Sequence, residues 1–247
     1  MERQEVAVLY SGGRDSLSIY ALAATGLDPL LGRPERIHLL HMLNGMGRFP
    51  AFPATRLETA TKILAAQAPA GAKPPETEYV ELDCGRLFQG LWLDHYEELM
   101  PRFDGKNLVC VACKLAMHAR AVIYCVRHRV PVLTAGYTLR QDYYPEQTPA
   151  FMERIAAMAD RFGIATRFPV YEAFDSEDVT RHLLEDLGLP STGGGERKCL
   201  FCQTKTTARP EQIGRYLDEM IPRVCDYIDH RLAGRIREAA LCFPPGR

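Results

Sequence analysis

Two groups of residues in this chain carry chemistry by their types and spacing. The first is Ser11-Gly12-Gly13-Arg14-Asp15-Ser16, set between the apolar run Val6 to Tyr10 and a segment, Asp15 to Thr25, with helical spacing. Two glycines let a backbone turn tightly and approach a ligand closely. A helix that starts near Asp15 turns N–H groups and the positive end of its dipole toward the loop, and such a terminus binds phosphate. Ser11 and Ser16 add hydroxyl donors, and Asp15 offers the hard oxygen that Mg²⁺ takes. Neither Gly-Lys-Ser/Thr nor Gly-x-Gly-x-x-Gly is present, so the loop belongs to neither of those phosphate-binding classes.

The second group is a set of cysteines. Cys110-Val111-Ala112-Cys113 and Cys199-Leu200-Phe201-Cys202 are two Cys-x-x-Cys pairs. In a reducing compartment such pairs point to metal or redox chemistry rather than disulfides. The first pair heads a helical segment, so both thiols fall on one face, and the helix terminus is expected to favour thiolates. The second follows the glycine-rich stretch Ser191 to Gly195 and is flanked by Lys198 and Lys205. Four cysteines in two pairs suit a tetrahedral zinc ion or an iron–sulfur cluster, and spacing does not choose between them. Cys84, Cys125, Cys225 and Cys242 stand alone and are expected to be buried core residues.

Weaker candidates surround these groups. His118 lies one turn past Cys113, within reach of a metal, although a core or solvated histidine is the simpler reading. Arg127, His128 and Arg129 form a basic helix end that complements its dipole. Arg140, Lys198 and Lys205 are phosphate or substrate candidates by position alone. Gly193-Gly194-Gly195 reads as a loop, because no helix start follows it.

The elements that position these residues alternate along the chain. Strand-like runs at 6–10, 37–43, 79–82, 130–135 and 166–171 are separated by helical segments at 15–25, 54–68, 87–100, 110–129 and 150–162. Ser176 reads as the N-cap of a further helix through Leu187, with Glu177 and Asp178 in its first turn. This alternation predicts an α/β domain, a parallel sheet with crossover helices, over residues 1–209. Residues 210–247 read as a helical C-terminal extension.

Composition narrows the class. The 247 residues are 47% hydrophobic and 25% charged with a net charge of −1, which excludes a globally disordered chain and a strongly basic coat protein. The total hides a gradient, since residues 197–247 carry 10 basic and 6 acidic side chains. A nucleic-acid partner would dock there through few phosphate contacts. No apolar run is read as long enough for a membrane span, and the polar N-terminus does not resemble a signal peptide. A cytoplasmic location and no membrane partner are expected; oligomeric state is not indicated.

The hexad matches, at every fixed position, the Ser-Gly-Gly-x-Asp-Ser loop of the PP-loop ATP pyrophosphatase superfamily, which the chain therefore resembles. The resemblance implies an adenine nucleotide alpha hydrolase-like fold and ATP as substrate. Ser11, Gly12, Gly13, Asp15 and Ser16 would contact its pyrophosphate and Mg²⁺, with His41 to Leu43 near the adenine. Within the superfamily, Cys110 to Cys113, the helix through Tyr124 and Lys198-Cys199-Leu200-Phe201-Cys202-Gln203 are similar to the iron–sulfur-dependent tRNA 2-thiocytidine synthetases. Similar order runs from about Val6 to about Met220.

That family likeness implies a [4Fe–4S] cluster on Cys110, Cys113 and Cys199, with one iron open to bind sulfur. Cys202 matches a family cysteine that has no assigned ligand role. Asp15 and Cys199 would be the catalytic positions. Relatives carry Gly-His and paired Asp after the fourth strand, where this chain has Gly136-Tyr137-Thr138-Leu139-Arg140-Gln141-Asp142. Gly136 is retained as a nucleotide-binding residue. Lys114 alone remains of the basic residues that follow the first cysteine pair, and the N-terminus is short of an element that relatives often have. The implied activity is an ATP-dependent sulfurtransferase that adenylates a carbonyl oxygen on a tRNA base, another nucleobase or an amide and replaces it with sulfur from a donor. The alternatives are an amidating or ligase enzyme of the superfamily with structural zinc on the cysteines, and a nucleotide-binding redox sensor.

Overall fold

The computed structural model describes residues 4–29, 31–47, 51–67, 73–138, 144–173, 177–191, 199 and 208–235. Several expectations fall on positions outside these: Arg140, Asp142, Ser176, Gly193 to Gly195, Lys198, Cys202, Lys205 and Cys242.

Five strands form one parallel sheet: β1 (Glu5–Leu9), β2 (Arg36–Leu43), β3 (Glu76–Asp83), β4 (Val132–Ala135) and β5 (Ala165–Arg167), in the order β3-β2-β1-β4-β5. The helices are α1 (Arg14–Thr25), α2 (Phe52–Gln67), α3 (Gly85–Leu91), α4 (Tyr96–Arg102), α5 (Val109–His128), α6 (Pro149–Asp160), α7 (Pro169–Ala173), α8 (Glu177–Asp186) and α9 (Pro210–Leu232). β1 lies in the middle, with Val6 opposite both Ile37 and Val132. Central parallel strands are covered on both faces, which is why β1 and β2 read as nearly unbroken apolar runs.

Alternate residues serve two cores. Val6, Val8, Ile37 and Leu39 face one core with Leu17 and Ile19 of α1, Leu57 of α2 and Leu184 of α8. Ala7, Leu40 and Met42 face the other with side chains of α3, α5, α6 and α9. The result is a three-layer α/β/α arrangement.

The topology already marks a place for a ligand. From β1 the chain winds outward through β2 to β3, then returns through α3 to α5 and enters β4 on the other side of β1. The loops leaving β1 and β4 therefore diverge, and open α/β sheets bind ligands at such a reversal, beyond the carboxyl ends of the strands.

Three sequence expectations need correction. The single helix expected over 87–100 is broken at Trp92, whose φ of −146° and ψ of −54° leave the helical region. The turn buries the indole completely, against the Tyr216 ring at 5.6 Å. The strand expected over 166–171 ends at Arg167, because Pro169 starts α7, and proline is suited to a first helical position. α5 is long and apolar enough to span a membrane by length and composition, contrary to the expectation of no such run. Here it is the central helix of a core, with Leu115, Ala119 and Val122 fully buried. Arg127 and His128 stand in the last turn of α5 as expected, and the Arg127 guanidinium also donates to the Arg231 carbonyl in the last turn of α9 at 2.7 Å.

The helical C-terminal region is α9, and it shares the second core. Ile213, Tyr216, Leu217 and Val224 are buried against α5 and α6. Tyr216 Oη donates to the Leu91 carbonyl at 2.9 Å, and Arg154 of α6 donates to both Asp218 oxygens at 2.7 and 3.0 Å.

Candidate active site

The Ser11 to Ser16 segment forms the turn between β1 and α1, at the topological reversal. Gly12 has a φ of +76°, and a Cβ there would stand 2.8 Å from Pro53 Cα. Glycine is thus required twice, by conformation and by the closeness of α2. Gly13 is the N-cap of α1, and the helical ladder begins with Leu17 N–H donating to the Gly13 carbonyl at 3.0 Å. The N–H groups before it point out of the helix end, where an anion is favoured.

Hydroxyls hold the loop in shape. Ser16 Oγ accepts from Ser11 N–H at 3.3 Å and donates to the Gly13 carbonyl at 3.1 Å. Ser11 Oγ lies 3.2 Å from Ser16 Oγ and accepts from Gly13 N–H at 3.2 Å. Asp15 sits in the first turn of α1 beside Arg14, whose Nε is 3.9 Å from its Oδ1. Gly136, the residue after β4, touches the same turn: a Cβ on it would stand 2.9 Å from Ser16 N.

A cavity of about 480 Å³ opens above these residues, and Ser11, Asp15, Gly136, Cys110, Cys113 and Cys199 all contribute to its wall. That volume lies in the range of ligand pockets. Gly12 is not part of the wall; its role is the shape of the turn. His41 and Met42 also line the cavity, as expected for the end of β2, whereas Leu43 does not. The His41 ring is stacked on Tyr79 at 5.9 Å.

The cysteines reach the cavity from two directions. Cys110 and Cys113 occupy the first turn of α5, and Cys199 arrives by an isolated antiparallel bridge to Gly47, just after β2. Asn44 Nδ2 donates to Cys113 Sγ at 3.2 Å, while its Oδ1 accepts from Met46 N–H at 2.9 Å. The helix terminus does not lower the Cys113 thiol as expected. Burial pushes its pKa up to about 11, against the hydrogen bond from Asn44 and the charge of Lys114. A metal must therefore displace this proton when it binds.

Among the described residues, no three His, Cys, Asp or Glu side chains converge closely enough to hold one metal ion. The three thiols share a cavity wall without meeting at a point. In a [4Fe–4S] cluster each cysteine takes its own iron, so cysteine ligands of such a group need not converge on one point. Four ligands on a single zinc ion would have to converge at about 2.3 Å from it.

Between the loop and the cysteines stands a group that sequence reading did not assemble. Tyr137 follows Gly136 at the end of β4, and its Oη is 2.7 Å from Nε2 of His118. His118 is therefore a core residue, and desolvation together with the Lys114 charge lowers its pKa to about 3. Lys114 Nζ rests over the Tyr137 ring, 5.6 Å from its centroid. Glu146 lines the cavity close by, and burial raises its pKa, with Lys114 opposing. The Asn44-Gly45 turn after a strand was visible in the sequence; nothing there connected Asn44 to a thiol, or Glu146 to Lys114. Cys84, Cys125 and Cys225 are buried away from this wall, as expected.

No protein-family model and no curated protein matches the chain. Among solved structures it is similar to the U34-tRNA thiolase NcsA from Methanococcus maripaludis, determined with its [4Fe–4S] cluster. The match has 15% identity and a TM-score of 0.51, and covers 99% of this chain and 77% of that one. The two proteins share a fold. The parallel α/β architecture expected from the PP-loop resemblance is thus found both in the topology and in the neighbour that it matches.

Proposed function

We propose that the protein is an ATP-dependent sulfurtransferase that adenylates a carbonyl oxygen of a tRNA base or another nucleobase and replaces it with sulfur. One observation carries this reading: a Ser-Gly-Gly-x-Asp-Ser loop at a helix N-terminus and three cysteines line the same cavity. A thiolation needs both, one to make an oxygen leave and the other to deliver sulfur. Similarity of fold to a tRNA thiolase supports it.

In this reading the turn at Ser11 to Ser16 and the start of α1 bind the pyrophosphate of ATP. Their N–H groups are held in place before the reaction by the Ser11–Ser16 hydrogen bonds, so charge on the departing pyrophosphate meets fixed dipoles. Asp15 would hold Mg²⁺, whose charge would favour departure of pyrophosphate. Gly136 lets the end of β4 close on the loop. Cys110, Cys113 and Cys199 would hold a [4Fe–4S] cluster, which would supply a binding site for the sulfur atom; Cys202 is a fourth candidate. Asn44 orients Cys113. Hydrogen bonds of this kind hold metal ligands in place. The cytoplasm suits both ATP and a reduced cluster.

The test is anaerobic purification with iron, zinc and sulfide measured, followed by ATP turnover with and without total tRNA. About four irons and four sulfides per chain, with AMP formed only when tRNA is present, is the expected result. One zinc per chain without iron would point to an amidating enzyme, and ATP binding without turnover to a sensor.

A further inference from the structure

The reaction proposed above leaves one acidic residue of the cavity wall unused. Glu146 is the middle residue of the short 3₁₀ turn Pro145–Gln147. The turn is anchored at both ends: Thr148 Oγ1 donates to the Pro145 carbonyl, and Gln147 Oε1 accepts from Thr138 N–H, each at 2.9 Å. The Glu146 side chain is 6% exposed, yet it lines the cavity. Its Oε2 has no hydrogen-bond partner among the described residues. Burying a carboxyl oxygen without a partner opposes folding. A carboxyl group kept under that penalty, on an anchored turn and facing a ligand cavity, is placed for a ligand.

Its surroundings say which part of the ligand. Lys114, Tyr137 and Cys113 are its electrostatic neighbours, so within the cavity it stands beside the cysteines. The carbon to be thiolated must lie between the Ser11 to Ser16 turn and the cysteines. We propose that Glu146 is the proton acceptor of the adenylation step, taking the N–H proton next to the carbonyl group that is activated. The inference rests on the adenylating reading of the site.

The step balances without an oxidant or reductant. The carbonyl oxygen of an –NH–C(=O)– unit forms a bond to the α-phosphorus of ATP. The bond from that phosphorus to the bridging oxygen breaks, and pyrophosphate leaves with the electron pair. The N–H bond breaks at the same centre; its electrons form C=N as C=O becomes C–O, and the proton passes to Glu146. The ammonium group of Lys114 offsets the carboxylate charge before the transfer.

The experiment measures pyrophosphate release from ATP by the full chain in the presence of total tRNA, which reads adenylation without sulfur transfer. Glu146→Gln keeps the shape and removes the acceptor. It is expected to lower the maximal tRNA-dependent rate by about 100-fold or more, the usual scale of a general base, with the KM for ATP within about twofold of wild type. Its melting temperature should stay close to that of wild type, because the amide has the shape of the carboxyl group. Glu146→Asp should recover part of the rate. A Gln variant with the wild-type rate, or one altered only in the KM for ATP, overturns the assignment and leaves the adenylation reading standing. A wild-type protein that releases no pyrophosphate with tRNA overturns both.

Discussion

Gly136 lies against the first turn of α1 so closely that a methyl group on its Cα would stand 2.9 Å from both Ser16 N and the Asp15 carbonyl carbon. Those atoms are backbone, so no side-chain rotation relieves the contact. The end of β4 and the Ser11 to Ser16 turn are therefore set in place by one another. Gly136→Ala should part them, costing about 1–3 kcal/mol as overpacking does, and should weaken ATP binding by about tenfold or more. Thermal melts and ATP titration check this. An alanine variant that equals wild type in both contradicts it.

Ser16 ties the turn together, contacting Ser11 twice and the Gly13 carbonyl once while it is only 5% exposed. Ser16→Ala leaves those groups short of a partner, at about 1–3 kcal/mol, and loosens the loop. A raised KM for ATP should accompany the loss of stability. Ser18 is the control: its hydroxyl donates only to the Arg14 carbonyl, inside α1. Ser18→Ala should leave the KM for ATP unchanged.

Cysteine substitutions separate the two halves of the site. Cys110→Ser, Cys113→Ser and Cys199→Ser should each lower iron content and the brown absorbance of anaerobically purified protein, while ATP still binds. Cys84→Ala, at a buried thiol outside the cavity wall, should keep its iron. Equal iron in all four variants would remove these three cysteines from the ligand set.

His118 predicts a pH dependence with a definite sign. Its pKa is about 3 in the folded chain and about 6.5 in an unfolded one. Between those values the unfolded chain binds a proton that the folded chain does not. Stability is thus full above about pH 6.5 and falls as pH drops toward 3. Denaturant melts at pH 7.5, 6 and 5 should show a steeper loss for wild type than for His118→Gln. Parallel curves would show that His118 contributes nothing to the slope.

Much of the scaffold was legible from local pattern alone. The apolar runs of β1 and β2 and the helical spacing between them specify a buried parallel sheet, because covering both faces of a strand removes polar alternation. The hexad was legible as a turn that opens a helix because its structure is local: six consecutive residues shape the turn and start the helix. The two elements misread, at Trp92 and at Pro169, are places where a distant partner or a single proline outweighs periodicity. Trp92 leaves its helix to meet Tyr216, more than a hundred residues away.

The cavity is a different kind of fact. Residue types and spacing determined that this chain has a glycine turn at a helix start, paired cysteines and an α/β frame. That the turn, two thiols of α5 and Cys199 line one wall was decided by the order β3-β2-β1-β4-β5 and by the bridge from Gly47 to Cys199. The same packing raised the Cys113 pKa against the pull of its helix terminus, lodged His118 on Tyr137, and left Glu146 buried without a partner for its Oε2 among the described residues. Burial is a property of everything around a side chain, and residues far apart along the chain supply it. A protonation state or an unsatisfied oxygen therefore comes into being only when the sheet and its helices have closed.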